Sequence, residues 1–218
     1  MLPRLSYYVE ERRTIEFNQL IGKTVNFIAF LAFPLTFFFV IESSDSVMLL
    51  AGENYNPSII GMQILMPILL ISGFSNILGN QILLPQGRDR CFMKAVITGA
   101  IIDAILNLFL LPKYGFIGAA VATLIAEIGQ MSVQLFYSWK DIHKCINKNE
   151  LIKIILSTLA ATIVLLFMKN FIVFTPVCNL FILSIIFGVT YILIQVILKG
   201  ETVKDLLFSV ENLKIRKK

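Results

Sequence analysis

The chain has 218 residues, 57% hydrophobic and only 15% charged, with 18 Phe and a formal net charge of +5; its mean hydropathy is +0.81. Soluble domains carry about 25% charged residues, so this composition excludes an ordinary soluble fold and predicts an integral membrane protein. Cys91, Cys145 and Cys178 form no C-x-x-C pair and His143 is the only histidine, so nothing in the sequence points to a metal site, a disulfide framework or a cofactor.

Taken in order, residues 1–19 mix charge with apolar residues and read as a cytoplasmic juxtamembrane segment. Residues 20–198 read as an all-α membrane domain of six transmembrane helices, with approximate spans 20–41, 58–84, 94–111, 116–139, 151–168 and 178–198. The polar connection 42–57 contains an apolar patch, Val47 to Leu50, suited to the interface. No short apolar run with a small-residue cleavage site marks a signal peptide. Residues 199–218 read as a cytoplasmic amphipathic basic tail: Val203, Leu206, Leu207, Val210 and Leu213 recur at helical spacing before a Lys214–Lys218 basic cluster. A tail docked on the cytoplasmic loops fits the same pattern.

With the N-terminus inside, every Lys and Arg except Lys113 and Lys169 falls on one side of the membrane, which places both termini in the cytoplasm. The same distribution gives the positive charge to topology and anionic lipid and argues against nucleic acid as a partner. The lipid bilayer is the first partner implied.

Several positions depart from plain hydrophobicity. Pro34 and Pro67, inside the first two spans, each remove a backbone donor and crowd the preceding turn; they are hinge candidates or static kinks. Ser72, Asn76 and Asn80 fall four apart and predict a polar seam turned toward protein or water. Gly118, Ala122 and Ala126 form a small-residue stripe for close helix packing. Asp103 and Glu127 lie at equal distances from Gly115, so two helices rising from a shared turn carry them to the same depth, on the order of 15 Å into a core about 30 Å thick. A charge at mid-bilayer costs about 2.5 to 3.5 kcal/mol on insertion scales. Asp103 with Asn107, and Glu127 with Gln130, are therefore candidates for a translocation path or proton-coupling site. Neutral acids bonded across the helices to Asn107, Thr123 or Gln130 are the other reading.

The string Leu110-Leu111-Pro112-Lys113-Tyr114-Gly115-Phe116-Ile117-Gly118-Ala119-Ala120-Val121-Ala122-Thr123 resembles the hairpin signature of bacterial polysaccharide (O-antigen and capsule repeat-unit) flippases of the multidrug/oligosaccharidyl-lipid/polysaccharide exporter superfamily. Leu2-Pro3-Arg4-Leu5-Ser6, Gly52-Glu53-Asn54-Tyr55 and Ile82-Leu83-Leu84-Pro85-Gln86-Gly87-Arg88 resemble further family pieces in the family's order. The resemblance implies the last six helices of a 14-helix, two-lobed exporter in the bacterial cytoplasmic membrane. Its substrate would be a polyprenyl-diphosphate-linked oligosaccharide, flipped by alternating access. Asp103 departs from the family, where an amide is expected more often.

Met1 stands where the family is in mid-chain. The resemblance therefore implies a truncated reading frame, a gene fragment or a subunit needing a missing N-terminal lobe or a homodimer, and a chain inactive alone. Asn76, Asn80, Asn107 and Gln130 are candidate cavity residues. Arg88, Arg90 and Lys94 are a candidate headgroup cluster or a topology signal. A multidrug/toxin extrusion antiporter fragment would use the same scaffold and acids, and an inert structural membrane fragment would insert and assemble but transport nothing. An enzyme is not expected: the outside loops hold only Glu42, Asp45, Glu53, Lys113 and Lys169 as charges, without a nucleophile and base pair.

Overall fold

The computed structural model describes residues 2–171 and 175–205. Every regular element among them is helical. In order they are α1 (Leu2–Glu10), α2 (Thr14–Ile41), α3 (Ser43–Ala51), a 3-10 turn over Glu53–Tyr55, α4 (Ser58–Leu65), α5 (Ile68–Asn76), a π-helix over Ile77–Leu83, α6 (Asp89–Cys145), α7 (Lys148–Lys169) and α8 (Pro176–Ile197). Five stretches among the described residues are long and apolar enough to cross a bilayer. The longest, α6, has 57 residues; straight, it would run roughly 85 Å, far beyond a core of about 30 Å. It turns at Gly115, whose φ of 57° and ψ of −137° are strained for a residue with a side chain. Gly115 thus divides α6 into two arms, each long enough to cross, so that six stretches of crossing length lie among the described residues.

α2 is the central post. On one side Ala29, Phe30 and Phe38 pack with Ile154, Ala161 and Leu165 of α7 and Leu183, Phe187 and Tyr191 of α8. On another, Phe17, Ile21 and Val25 meet Leu5 of α1, Ile77, Leu78 and Ile82 of the π-helix and Ile142 of α6. Gly22 lets the end of α6 come close: a Cβ there would sit 2.9 Å from the Cys145 carbonyl oxygen. The Tyr191 hydroxyl donates to the Phe30 carbonyl at 2.9 Å, satisfying a phenol inside an apolar cluster.

The two span prolines act differently. Pro34 lies inside α2 without ending it. Pro67 separates α4 from α5, and the Thr36 hydroxyl from α2 reaches the Met66 carbonyl at this break, at 3.5 Å. Beyond α5 the chain widens into the π-helix. Its buried side chains explain why: Ile77 and Ile82, and Leu78 and Leu83, are pairs five residues apart. That spacing keeps one face under i→i+5 winding and loses it in an α-helix. Four residues fall just short of a π turn and just beyond an α turn, so Ser72, Asn76 and Asn80 stay along one side.

The bundle ends are closed by buried acids. Glu42, between α2 and α3, is 0% exposed and pairs with Lys169, the last residue of α7, at 3.1 Å. Lys169 also donates to the Ile41 carbonyl at 3.1 Å. Burial pushes the Glu42 carboxyl up from its ordinary range and Lys169 pulls it part of the way back. At the other end Glu150, 1% exposed, accepts from the Thr202 backbone N–H at 3.2 Å. Residues 201–205 begin a helix there, with Thr202 and Val203 buried and Asp205 paired to Lys23 at 3.1 Å. Leu206 to Lys218, which carry most of the expected amphipathic tail, lie outside the described residues. The apolar patch of the 42–57 connection divides: Val47 of α3 is buried and Leu50 is exposed.

Candidate functional site

The α6 hairpin forms because its arms are small where they face each other. Gly118, Ala122 and Ala126 of the second arm are buried. Opposite them, a Cβ on Gly99 would lie 3.0 Å from the Gln130 side chain and 3.4 Å from the Ala126 carbonyl oxygen. Backbones this close put neighbouring polar side chains within reach of one another. Asp103 and Glu127 line one pocket of about 240 Å³ between the arms, together with Thr123 and Gln130. Thr123 donates to Asp103 Oδ1 at 3.5 Å. Both acids are half-buried, and no lysine or arginine lines the pocket.

Asn107 sits one turn along from Asp103, but its amide donates to the Asp103 backbone carbonyl at 3.0 Å. Gln130 bridges outward: its amide nitrogen donates to Ser75 Oγ at 3.4 Å, and Ser75 donates to Gln134 Oε1 at 2.7 Å. This chain ties α5 to the second arm and ends on a fully buried Gln134. Ser75 is the residue that sequence reasoning passed over, because the Ser72, Asn76 and Asn80 spacing drew attention to the adjacent face. A serine next to the Ser72, Asn76 and Asn80 seam, with Gln130 and Gln134 four apart on a later span, was the available signal. Gly79 completes the contact: a Cβ there would lie 2.7 Å from Phe92 and 2.9 Å from Gln134 Nε2.

The other predicted residues lie elsewhere. Asn76 is exposed and lines a separate groove of about 440 Å³ with Ser72, Ile28 and Ile68, while Asn80 is half-buried in the π-helix. Neither lines the pocket of Asp103 and Glu127. The three cations near the start of α6 also divide. Arg88 donates to Asp141 at 2.9 Å and Gln86 at 3.0 Å, holding the turn before α6 to its far end. Arg90 is exposed, and Lys94 lines another groove on the hairpin.

An all-helical bundle of membrane-spanning length, with one span broken by proline and a π-helix and two carboxylates held inside a hairpin, defines a multi-pass membrane protein. The family model described as lipid II flippase MurJ matches residues 1–193, and the chain belongs to that family. A solved structure of lipid II flippase MurJ in an inward closed conformation shares the fold, with a TM-score of 0.74 and 19% identity over 93% of this chain and 42% of that one. An uncharacterized membrane protein of Methanocaldococcus jannaschii is 29% identical over 119 residues, 54% of this chain and 23% of that protein. The chain thus spans less than half the length of each of these relatives. The superfamily expected from the hairpin motif is the right one; the branch whose model matches is the lipid II flippases, where the motifs had suggested the polysaccharide flippases.

Proposed function

We propose that the chain is the C-terminal part of a flippase for polyprenyl-diphosphate-linked saccharides, with lipid II, named for the matched family, as the first substrate to test and the polysaccharide repeat unit as the second. The observation that carries this reading is the family match along residues 1–193 combined with a paired-acid pocket inside the α6 hairpin, which lies within the matched range. The chain lies in the cytoplasmic membrane with both termini inside, following the distribution of its lysines and arginines. Asp103 and Glu127 serve as the coupling site. Two carboxylates sharing one pocket with a hydroxyl and an amide bind a proton or small cation in one conformation and release it in another.

The chain covers 42% of the MurJ structure, and in this reading these 218 residues by themselves do not flip substrate. Proteoliposomes holding the 218-residue chain should show no flipping of a fluorescent polyprenyl-diphosphate saccharide above protein-free vesicles; robust flipping would overturn this point and favour a homodimer. Native membranes containing the assembled transporter test the rest. Asp103→Asn and Glu127→Gln should each lower flipping at least tenfold and flatten its pH dependence. Replacing sodium by a large organic cation at fixed pH separates a bound metal cation from a proton. Unchanged rate and ion dependence in both variants would sink the coupling role. Competition between lipid II and a repeat unit then assigns the substrate.

A further inference from the structure

We propose that the side of the α6 hairpin turned away from Asp103 and Glu127 binds one anionic glycerophospholipid, with Lys94 on its phosphate. A groove of about 580 Å³ runs between the arms there, lined by Lys94, Thr98, Ser132 and Tyr137 above Ile97 and Phe136. At 100° per residue, positions 94, 97 and 98 point away from 96, 99, 100 and 103, so this groove and the acid pocket occupy opposite sides of the hairpin.

The groove is amphiphilic along its length. Its polar part offers donors: the Lys94 ammonium and the Tyr137 phenol. The Thr98 and Ser132 hydroxyls already donate to the Lys94 and Ile128 carbonyls, at 2.8 and 2.7 Å. No carboxylate lines the groove, so its charge complements an anion. Its apolar part continues onto exposed Ile97, Ile101 and Phe136, the surface an acyl chain covers in a bilayer. Trp139 lies on the same face as Ser132 and Phe136 and is 56% exposed. With Tyr137 and a lysine, it makes the aromatic and basic grouping that sits at headgroup level. A glycerophospholipid fits because the groove opens sideways onto this apolar surface and not into the acid pocket.

Trp139 is the sole tryptophan and supplies the probe. The full chain is reconstituted in phosphatidylcholine, and quenching of Trp139 by brominated phosphatidylglycerol is compared with quenching by brominated phosphatidylcholine. One lysine near a headgroup predicts about a fivefold preference for the anionic lipid. Lys94→Gln should bring the two lipids within twofold, while Lys140→Gln, beside Trp139 but outside the groove, should keep the preference. Ser132→Phe, which fills the groove and leaves the charge, should also abolish it. Equal quenching by both lipids in the unmodified chain, or an undiminished preference in Lys94→Gln, would overturn the proposal. So would a polyprenyl phosphate that relieves quenching at a tenth of the phosphatidylglycerol concentration.

Discussion

The acids of this protein fall into two environments. Glu42 and Glu150, at the bundle ends, are sealed from solvent, each within 4 Å of a lysine and bonded to the element it anchors. Asp103 and Glu127, inside the hairpin, are half-buried in a pocket with space left over, and the Asp103 carboxylate accepts a long bond from Thr123. A buried, paired carboxylate is committed to its partner; a half-buried acid beside open space can exchange a proton or a cation without dismantling the fold. Under the proposed function the difference separates anchoring from exchange, and substitutions should reveal it as a gradient of stability effects.

The largest effect is expected from Lys169→Met, which leaves the Glu42 carboxylate buried without its cation. Removing one partner of a buried pair costs 3 to 5 kcal/mol, and the partial exposure of Lys169 favours the low end, about 3 kcal/mol, read as a lowered thermal midpoint in detergent. The loss has a pH signature. Burial holds the Glu42 carboxyl above its ordinary value, and without Lys169 it rises further. A raised folded-state value gives stability that is present at low pH and lost as pH rises through it, so the deficit should be larger at pH 8 than at pH 5. An equal deficit at both would mean that Glu42 is not the group left exposed to the change.

Gly79→Ala comes next, at about 2 kcal/mol, because its methyl group would sit 2.7 Å from Phe92 and 2.9 Å from the Gln134 amide, so that both side chains must shift. Ser75→Ala should cost about 1 to 1.5 kcal/mol by leaving the Gln134 carbonyl oxygen buried and unbonded. Asp103→Asn should be smallest, within about 0.5 kcal/mol, since the pocket is open and the contact with Thr123 survives the exchange. A midpoint shift for Asp103→Asn as large as that of Lys169→Met would erase the contrast and make Asp103 another anchor.

Much of this arrangement was legible in the chain. Apolar lengths give the crossings, and the Pro112-to-Gly115 turn with equal distances to Asp103 and Glu127 gives the shared pocket, because a hairpin converts equal rise into equal depth. The sealed acids were hidden. Glu42 looks like an ordinary loop charge, and only the fold carries the end of α7 onto it. Ser75 escaped for a related reason: a serine in an apolar helix has no visible partner until Gln130 and Gln134, more than fifty residues on, are brought beside it. The π-helix was written in the apolar pattern at Ile77, Leu78, Ile82 and Leu83, but a period of five is not among the repeats by which helices and strands are recognised.

That period has a consequence for how the chain tolerates changes of length. The stretch holds one residue more than an α-helix burying the same four side chains would use. Deleting Asn80 or Gln81 would shorten the interval from five to four and return Ile77, Leu78, Ile82 and Leu83 to one side of a regular helix. The same deletion in α5 or α7 would rotate everything beyond it by about 100° and turn an apolar face out of the bundle. The π segment is thus the place in this span where a lost codon is absorbed locally, as a rewinding of one turn.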